Sequence, residues 1–189
     1  RRDRMMNLHK NSGKFEAGGV ALDFQKETIV MGILNITPDS FSDGGKFNEI
    51  ETAVARAKQM VADGAKIIDI GGESTRPGYT RISDDEEIAR VVPVIQAIRA
   101  EVNTVISIDT YKSAVAKAAV LAGAHVINDI WGAKRDPEIA KVAADHGVPI
   151  ILMHNRDNEE YTDFWSEAKQ DLEESIQITK AAGVPDEHI

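Results

Sequence analysis

The sequence predicts an α/β fold built on a parallel sheet, and three observations carry that expectation. Short, apolar, β-branched runs recur along the chain, amphipathic stretches separate them, and glycines punctuate the joints. The runs cover residues 29–34, 67–70, 105–108, 126–130 and 150–153. Each is continuous rather than alternating, as expected of strands buried on both faces. Strand–helix alternation implies right-handed crossovers. Two architectures remain open on this pattern alone: a doubly wound sheet and a (β/α) barrel.

Taken in order, the elements have local reasons. Residues 13–26 place Gly18-Gly19 between Phe15 and Leu22, which predicts a hairpin plugging one end of the sheet. Asn48 stands ahead of Ile50, Val54, Ala57 and Val61, with Glu51 completing a capping box. Ser83 and Glu86 repeat that arrangement before Ile88, Val91, Val92, Ile95 and Ile98. Pro93 inside this stretch predicts a kink or a shorter start. Asp136-Pro137 reads as a cap followed by a proline at the first helical position. Gly64, Gly123, Gly147 and Gly183 each follow a helical stretch, where a left-handed residue is needed. After Gly183 a sixth strand is expected to begin. A complete eight-unit barrel takes roughly 250 residues. Residues 1–189 are therefore expected to form a single domain whose C-terminal units are missing.

Composition narrows the function classes. Lys and Arg number 22 against 31 Asp and Glu, a formal charge of −9, and 42% of the 189 residues are hydrophobic. That suits a globular domain with a sizeable core and argues against nucleic acid or a membrane surface as partner. The absence of cysteine excludes disulfides, thiolate zinc sites, iron–sulfur clusters and a Cys nucleophile. It also fits a reducing, cytoplasmic setting. No apolar run approaches the roughly 18 residues of a membrane span, and the basic Arg1-Arg2-Asp3-Arg4 has no apolar segment behind it to make a signal peptide. Phosphate-loop, dinucleotide and zinc-protease motifs are missing, and Arg76 stands where a nucleophile elbow needs its second glycine.

The polar residues cluster where strands end. Asn35, the stretch 71–76, Asp109-Thr110, Asn128-Asp129 and His154-Asn155-Arg156 each follow one of the five runs. In a parallel α/β structure those ends share one face, which is where ligands bind. The first two connections also exceed the usual length of 2–6 residues, which suggests binding loops. Singly, each residue has a plainer reading: Asn35 or Asp109 as a turn cap, Asp39, Ser40, Ser42 and Asp43 as turn formers, Ile130 and Met153 as core. His154 has no second histidine at metal spacing, which favours a hydrogen-bonding role at the rim.

Residues 31–45, Met-Gly-Ile-Leu-Asn-Ile-Thr-Pro-Asp-Ser-Phe-Ser-Asp-Gly-Gly, closely resemble the first loop signature of bacterial dihydropteroate synthases. Residues 68–78, from Ile68 through Thr75-Arg76-Pro77-Gly78, resemble their second. Ser107-Ile108-Asp109-Thr110, Ile127-Asn128-Asp129 and Leu152-Met153-His154-Asn155 match the next three strand ends. The resemblance implies an α/β (β/α)8 TIM barrel with an N-terminal hairpin, truncated after about five units. It implies condensation of 6-hydroxymethyl-7,8-dihydropterin diphosphate with 4-aminobenzoate, giving 7,8-dihydropteroate and diphosphate for folate synthesis, with sulfonamides competing for the aminobenzoate site. Carried across by position, Asp109 and Asn128 bind the pterin, with Ile130 and Met153 as apolar walls. Asn35 is the Mg2+ and diphosphate ligand, Thr75 contacts the pterin diphosphate, and Arg76 belongs to the second loop. Phe41, Asp43 and Pro77 help close the loops. The cofactor implied is Mg2+, and the full-length assembly implied is a homodimer.

The chemistry agrees with the residue types. A pterin edge offers an amino group and a ring N–H, which carboxylate and amide groups can read. Mg2+ takes oxygen ligands and keeps waters, so one amide oxygen with diphosphate oxygens suffices. The aromatic amine is neutral at pH 7, so carbon–oxygen cleavage can lead without a strong base. An SN1-like substitution is expected, with Mg2+ and Arg76 compensating the anionic leaving group. The family's sixth-, seventh- and eighth-strand segments are absent, so the 189-residue chain alone is expected to turn over negligibly. A methyltetrahydrofolate-binding methyltransferase and a non-catalytic pterin binder are the competing readings.

Overall fold

A computed structural model describes residues 14–36, 45–74 and 81–189, residues 45–48 by their backbone alone. The chain opens on an antiparallel hairpin, β1 (Lys14–Ala17) and β2 (Val20–Asp23). Gly18 and Gly19 turn it at φ of +58° and +75°, a region open to glycine at no steric cost. Then come β3 (Val30–Asn35), α1 (Gly45–Ala62), β4 (Ala65–Gly71), α2 (Asp84–Glu101), β5 (Val105–Asp109), α3 (Ser113–Ala122) and β6 (Val126–Asp129). The chain continues through α4 (Glu138–His146), β7 (Ile150–Leu152), α5 (Phe164–Ala181) and a 3-10 turn at Asp186–His188.

The five long-chain strands pair in parallel and in strict chain order, β3-β4-β5-β6-β7. A doubly wound sheet reverses its order at a switch point; this one never does, so the barrel architecture is the one realised. Alternation along each strand separates two faces. Leu34, Ile68, Ile70, Ile106, Ile108, Ile127 and Ile150 pack under the helices. On the other face Ile67, Val105 and Val126 pack with the hairpin residues Ala17 and Leu22, so the hairpin does plug one end.

Ser83 caps α2 by accepting from the Glu86 N–H at 3.2 Å. The four glycines have φ between +61° and +118°, as C′ residues require. Asn48 is not a cap, because α1 already begins at Gly45. Pro93 does not shorten α2, which runs on through it, since Val91, Val94, Ile95 and Ile98 bury that helix in the core on both sides of the proline. Asp136 does not cap its own helix: its Oδ2 accepts from the Ser113 N–H at 2.7 Å, the first residue of α3. Among the described residues no helix is long and apolar enough to cross a membrane.

Candidate functional site

Register brings the sequence-distant polar residues into one row. Asn35 pairs with Gly71, Gly71 with Asp109, and Asp109 with Asn128, which pairs in turn with Ile151. These residues stand at the carboxyl ends of their strands, on the face away from the helices. Gly71 matters through what it lacks: a methyl there would lie 3.4 Å from Asn35 Oδ1 and 3.5 Å from Asp109 Oδ2. Two oxygen-bearing side chains therefore border one space over a glycine backbone. Two residues below Gly71 and Asp109 come Asp69 and Ser107, level with Val126, and below them the apolar Ile67 and Val105. The inner face thus changes from apolar to polar along the strand direction.

The lower polar tier is fully engaged. Asp69, 4% exposed, accepts from Ser107 Oγ through Oδ1 and from Asn128 Nδ2 through Oδ2 at 3.1 Å. Burial raises the Asp69 pKa against those two hydrogen bonds. Among the described residues no such bond lowers that of Asp109. Burial, then the charges of Asp69, Glu87 and Asp129, push it from 3.8 up to about 7. The row is thus rich in acceptors and poor in donors, the complement of a ligand edge that brings N–H groups.

Asp129 has a different part. Wholly buried, it accepts from the Trp131 and Ala133 N–H groups at 2.8 and 2.7 Å, shaping the turn after β6. Ile130 sits half-buried in that turn, and Met153 follows β7 at 46% exposure. Both lie at strand ends beside the polar row rather than inside strands as their runs suggested.

Below the second loop a buried cation organises both stems. Lys112 Nζ lies 2.8 Å from Glu73 Oε2, 2.7 Å from Glu87 Oε2 and 2.9 Å from the Ile82 carbonyl. Glu73 Oε2 in turn accepts the Ile82 N–H at 3.0 Å, and Tyr111 donates to Glu73 Oε1 at 3.2 Å. Burial works against the charge on Glu73, but the Lys112, Ile82 and Tyr111 hydrogen bonds hold its pKa below the ordinary value. Burial likewise pulls Lys112 down, and its two carboxylates more than reverse that.

At the end of β7, His154 Nε2 meets Asp171 Oδ2 at 2.9 Å, the rim role expected of it. Arg156 joins the same carboxylate at 2.7 Å and Glu167 at 2.8 Å. Arg156 first, then His154 and Lys134, hold Asp171 down to about 2 against its partial burial. No group of three or more His, Cys, Asp or Glu capable of holding a metal occurs among the described residues.

Of the residues singled out in the sequence, Asn35, Asp109 and Asn128 converge as anticipated. Phe41, Asp43, Thr75, Arg76 and Pro77 lie outside the described residues. Two features escaped the sequence reading: Asp69 and the Lys112 cluster. A carboxylate inside the apolar run Ile67-Ile68-Asp69-Ile70 was the available signal for the first. Nothing local marked Lys112, whose partners are 25 to 39 residues away.

Dihydropteroate synthase of Bacillus subtilis is 57% identical over 169 residues, which cover 89% of this chain and 59% of that protein. The crystal structure of dihydropteroate synthase from Clostridium difficile in the presence of pteroic acid superposes with a TM-score of 0.86 at 46% identity, covering 89% of this chain and 64% of that one. The Xanthomonas albilineans enzyme in complex with 7,8-dihydropteroate gives a TM-score of 0.79 at 38% identity, over 92% of this chain and 62% of its own. The chain thus spans about three fifths of the relatives it matches. A family model described as pterin binding enzyme matches residues 31–189, from the first strand of the parallel sheet onward. With the polar row lying wholly within that match, this chain belongs to the pterin binding enzyme family.

Proposed function

We propose that this chain supplies the pterin-reading strand ends of a dihydropteroate synthase. The reaction is condensation of 6-hydroxymethyl-7,8-dihydropterin diphosphate with 4-aminobenzoate, releasing diphosphate. The observation that carries the reading is the row Asn35–Gly71–Asp109–Asn128, in which two oxygen-bearing side chains border the space over a glycine and a third lies alongside. Similarity to synthases seen with pteroic acid and with dihydropteroate supports it.

In this reading Asp109 accepts from the amino and ring N–H groups of the pterin, and Asn128 completes the acceptor pattern. Burial makes the match selective, since a ligand lacking those donors leaves acceptors unpaired at a cost of about 1–3 kcal/mol each. The Asp109 charge also faces the ring from which diphosphate departs, so it stabilises positive charge developing there. Ile130 and Met153 flank the ring, and Arg76 with Thr75 meets the diphosphate from the second loop. The donor set suits Mg2+ poorly as a cage and well as a single neutral oxygen: Asn35 Oδ1 at the mouth of the row would hold the ion beside diphosphate oxygens, where it supplies charge neutralisation. Nothing in the described residues calls for a strong base, in keeping with a neutral amine nucleophile and an SN1-like course. The reading extends to a cytoplasmic enzyme, a homodimer at full length, in which sulfonamides occupy the aminobenzoate position.

The test is made on the full-length protein carrying this sequence. Diphosphate release from the pterin diphosphate should depend on 4-aminobenzoate and on Mg2+. Pterin binding without release would leave a non-catalytic binder, and no binding would remove the reading. Asn35→Ala is expected to raise the Mg2+ concentration giving half-maximal rate by about tenfold, the loss of one oxygen ligand. An unchanged magnesium titration would strip Asn35 of that role.

A further inference from the structure

Asn128 has two nearly isosteric ends, an acceptor oxygen and a donor amide, and only its surroundings decide which one a ligand meets. Those surroundings are one buried carboxylate. Asp69 is held on both oxygens, Oδ1 by Ser107 Oγ and Oδ2 by Asn128 Nδ2. Ser107 itself is wholly buried. Turning the Asn128 amide over would set its oxygen against an Asp69 oxygen with no donor between them. In a buried setting that arrangement costs a full hydrogen bond and adds repulsion. Asp69 sits one tier below the row, so the Asn128 end that it does not hold is the end left for the level of Asp109. Among the described residues no donor engages Asn128 Oδ1.

We propose that Asp69 is a positioning residue that determines ligand specificity, by locking Asn128 with its oxygen toward the ligand. The proposal deepens the pterin reading and rests on it. Locked in this way, Asn128 and Asp109 both present acceptors, and the cavity demands two donors on one ligand edge. A 2-aminopyrimidinone edge provides them. A 2-oxo edge replaces the amino donor with an acceptor and is refused. Without Asp69 the Asn128 amide is free to turn, its N–H2 can face the ligand, and a 2-oxo edge becomes tolerable. Asp69 touches no ligand in this account; it acts through Asn128 alone.

The experiment uses the full-length protein with two probes, the pterin diphosphate and its counterpart carrying a carbonyl oxygen in place of the 2-amino group. Dissociation constants are measured by calorimetry for wild type, Asp69→Asn, Asp69→Ala, Asn128→Ala and the double variant Asp69→Ala/Asn128→Ala. Wild type should prefer the 2-amino probe by about a hundredfold or more, the scale at which a buried polar site rejects an unmatched partner. Asp69→Ala should lose about tenfold or more of that preference. Asp69→Asn should keep it to within about threefold, because its carbonyl still accepts from Asn128 while its amide donates to Ser107. In the Asn128→Ala background, removing Asp69 should change the preference by less than about twofold, since residues acting through one contact are not additive. A residue serving only to pack the strand would leave the preference untouched and show independent effects. The proposal is overturned if Asp69→Ala keeps the wild-type preference, if Asp69→Asn loses it, or if the two alanine effects multiply. Should Asp69→Ala not fold, Asp69→Leu takes its place with the same expected loss of about tenfold or more, and a kept preference there overturns the proposal. Wild type binding neither probe sinks the pterin reading itself, whereas binding with multiplying effects sinks the role of Asp69 alone.

Discussion

Burial, then the charges of Asp69, Glu87 and Asp129, disfavour the ionised form of Asp109 and push its pKa up to about 7. A ligand that donates N–H groups favours that same form, so binding draws a proton off Asp109. Affinity should then rise with pH, by at most about tenfold per unit below about 7 and levelling above it. Calorimetry in buffers of differing ionisation enthalpy reads the released proton directly; binding without proton release would contradict the assignment. Asp109→Asn should weaken binding by about ten- to a hundredfold and flatten the pH dependence. The convergence of Asn35, Asp109 and Asn128 was legible because each interrupts an apolar run at its end, where parallel strands open on a common face. Asp69 was not, since its meaning lies in Ser107 on the adjacent strand and Asn128 on the strand beyond, partners 38 and 59 residues further on.

Among the elements, α2 and the connection between β5 and α3 are joined through Lys112, whose side chain is 3% exposed between Glu73 and Glu87 at 14% and 2%. Removing the ammonium leaves two buried carboxylates facing each other. Lys112→Met should cost about 3 kcal/mol of stability, as uncompensated buried charges do, read as a lowered urea midpoint with unchanged slope. Replacing Lys112, Glu73 and Glu87 together by apolar residues of similar size should recover much of that loss. A midpoint for Lys112→Met equal to wild type would show that the two carboxylates are neutral in the folded protein. Sequence signals succeeded for elements where the cause is local, as with the Ser83 hydroxyl and the left-handed glycines. They failed where tertiary packing outweighed a local preference. The core contacts of α2 carry it through Pro93.

For the molecule as a whole, sequential strand order explains why five separated segments make one row: each crossover returns the chain to the adjacent strand in the same direction. The pattern also leaves β3 and β7 with one sheet neighbour each among the described residues. Val30 and Ile33 on the first are 53% and 63% exposed, and Ile151 and Met153 at the second are 36% and 46%. Trp165, 80% exposed, stands beside an apolar groove of about 620 Å3 along β7 and α5. Such edges and patches invite association. Expressed alone, the 189-residue polypeptide should self-associate with rising concentration in sedimentation velocity, and Ile33→Lys should weaken that by charging one edge; a strictly monomeric species at high concentration would contradict it. The bond from Asp136 to the Ser113 N–H carries a temporal corollary, because it spans 23 residues and ties the opening of α3 to chain made later. During synthesis that helix stays frayed at its start until the next unit emerges, so the two should acquire protease resistance in one step.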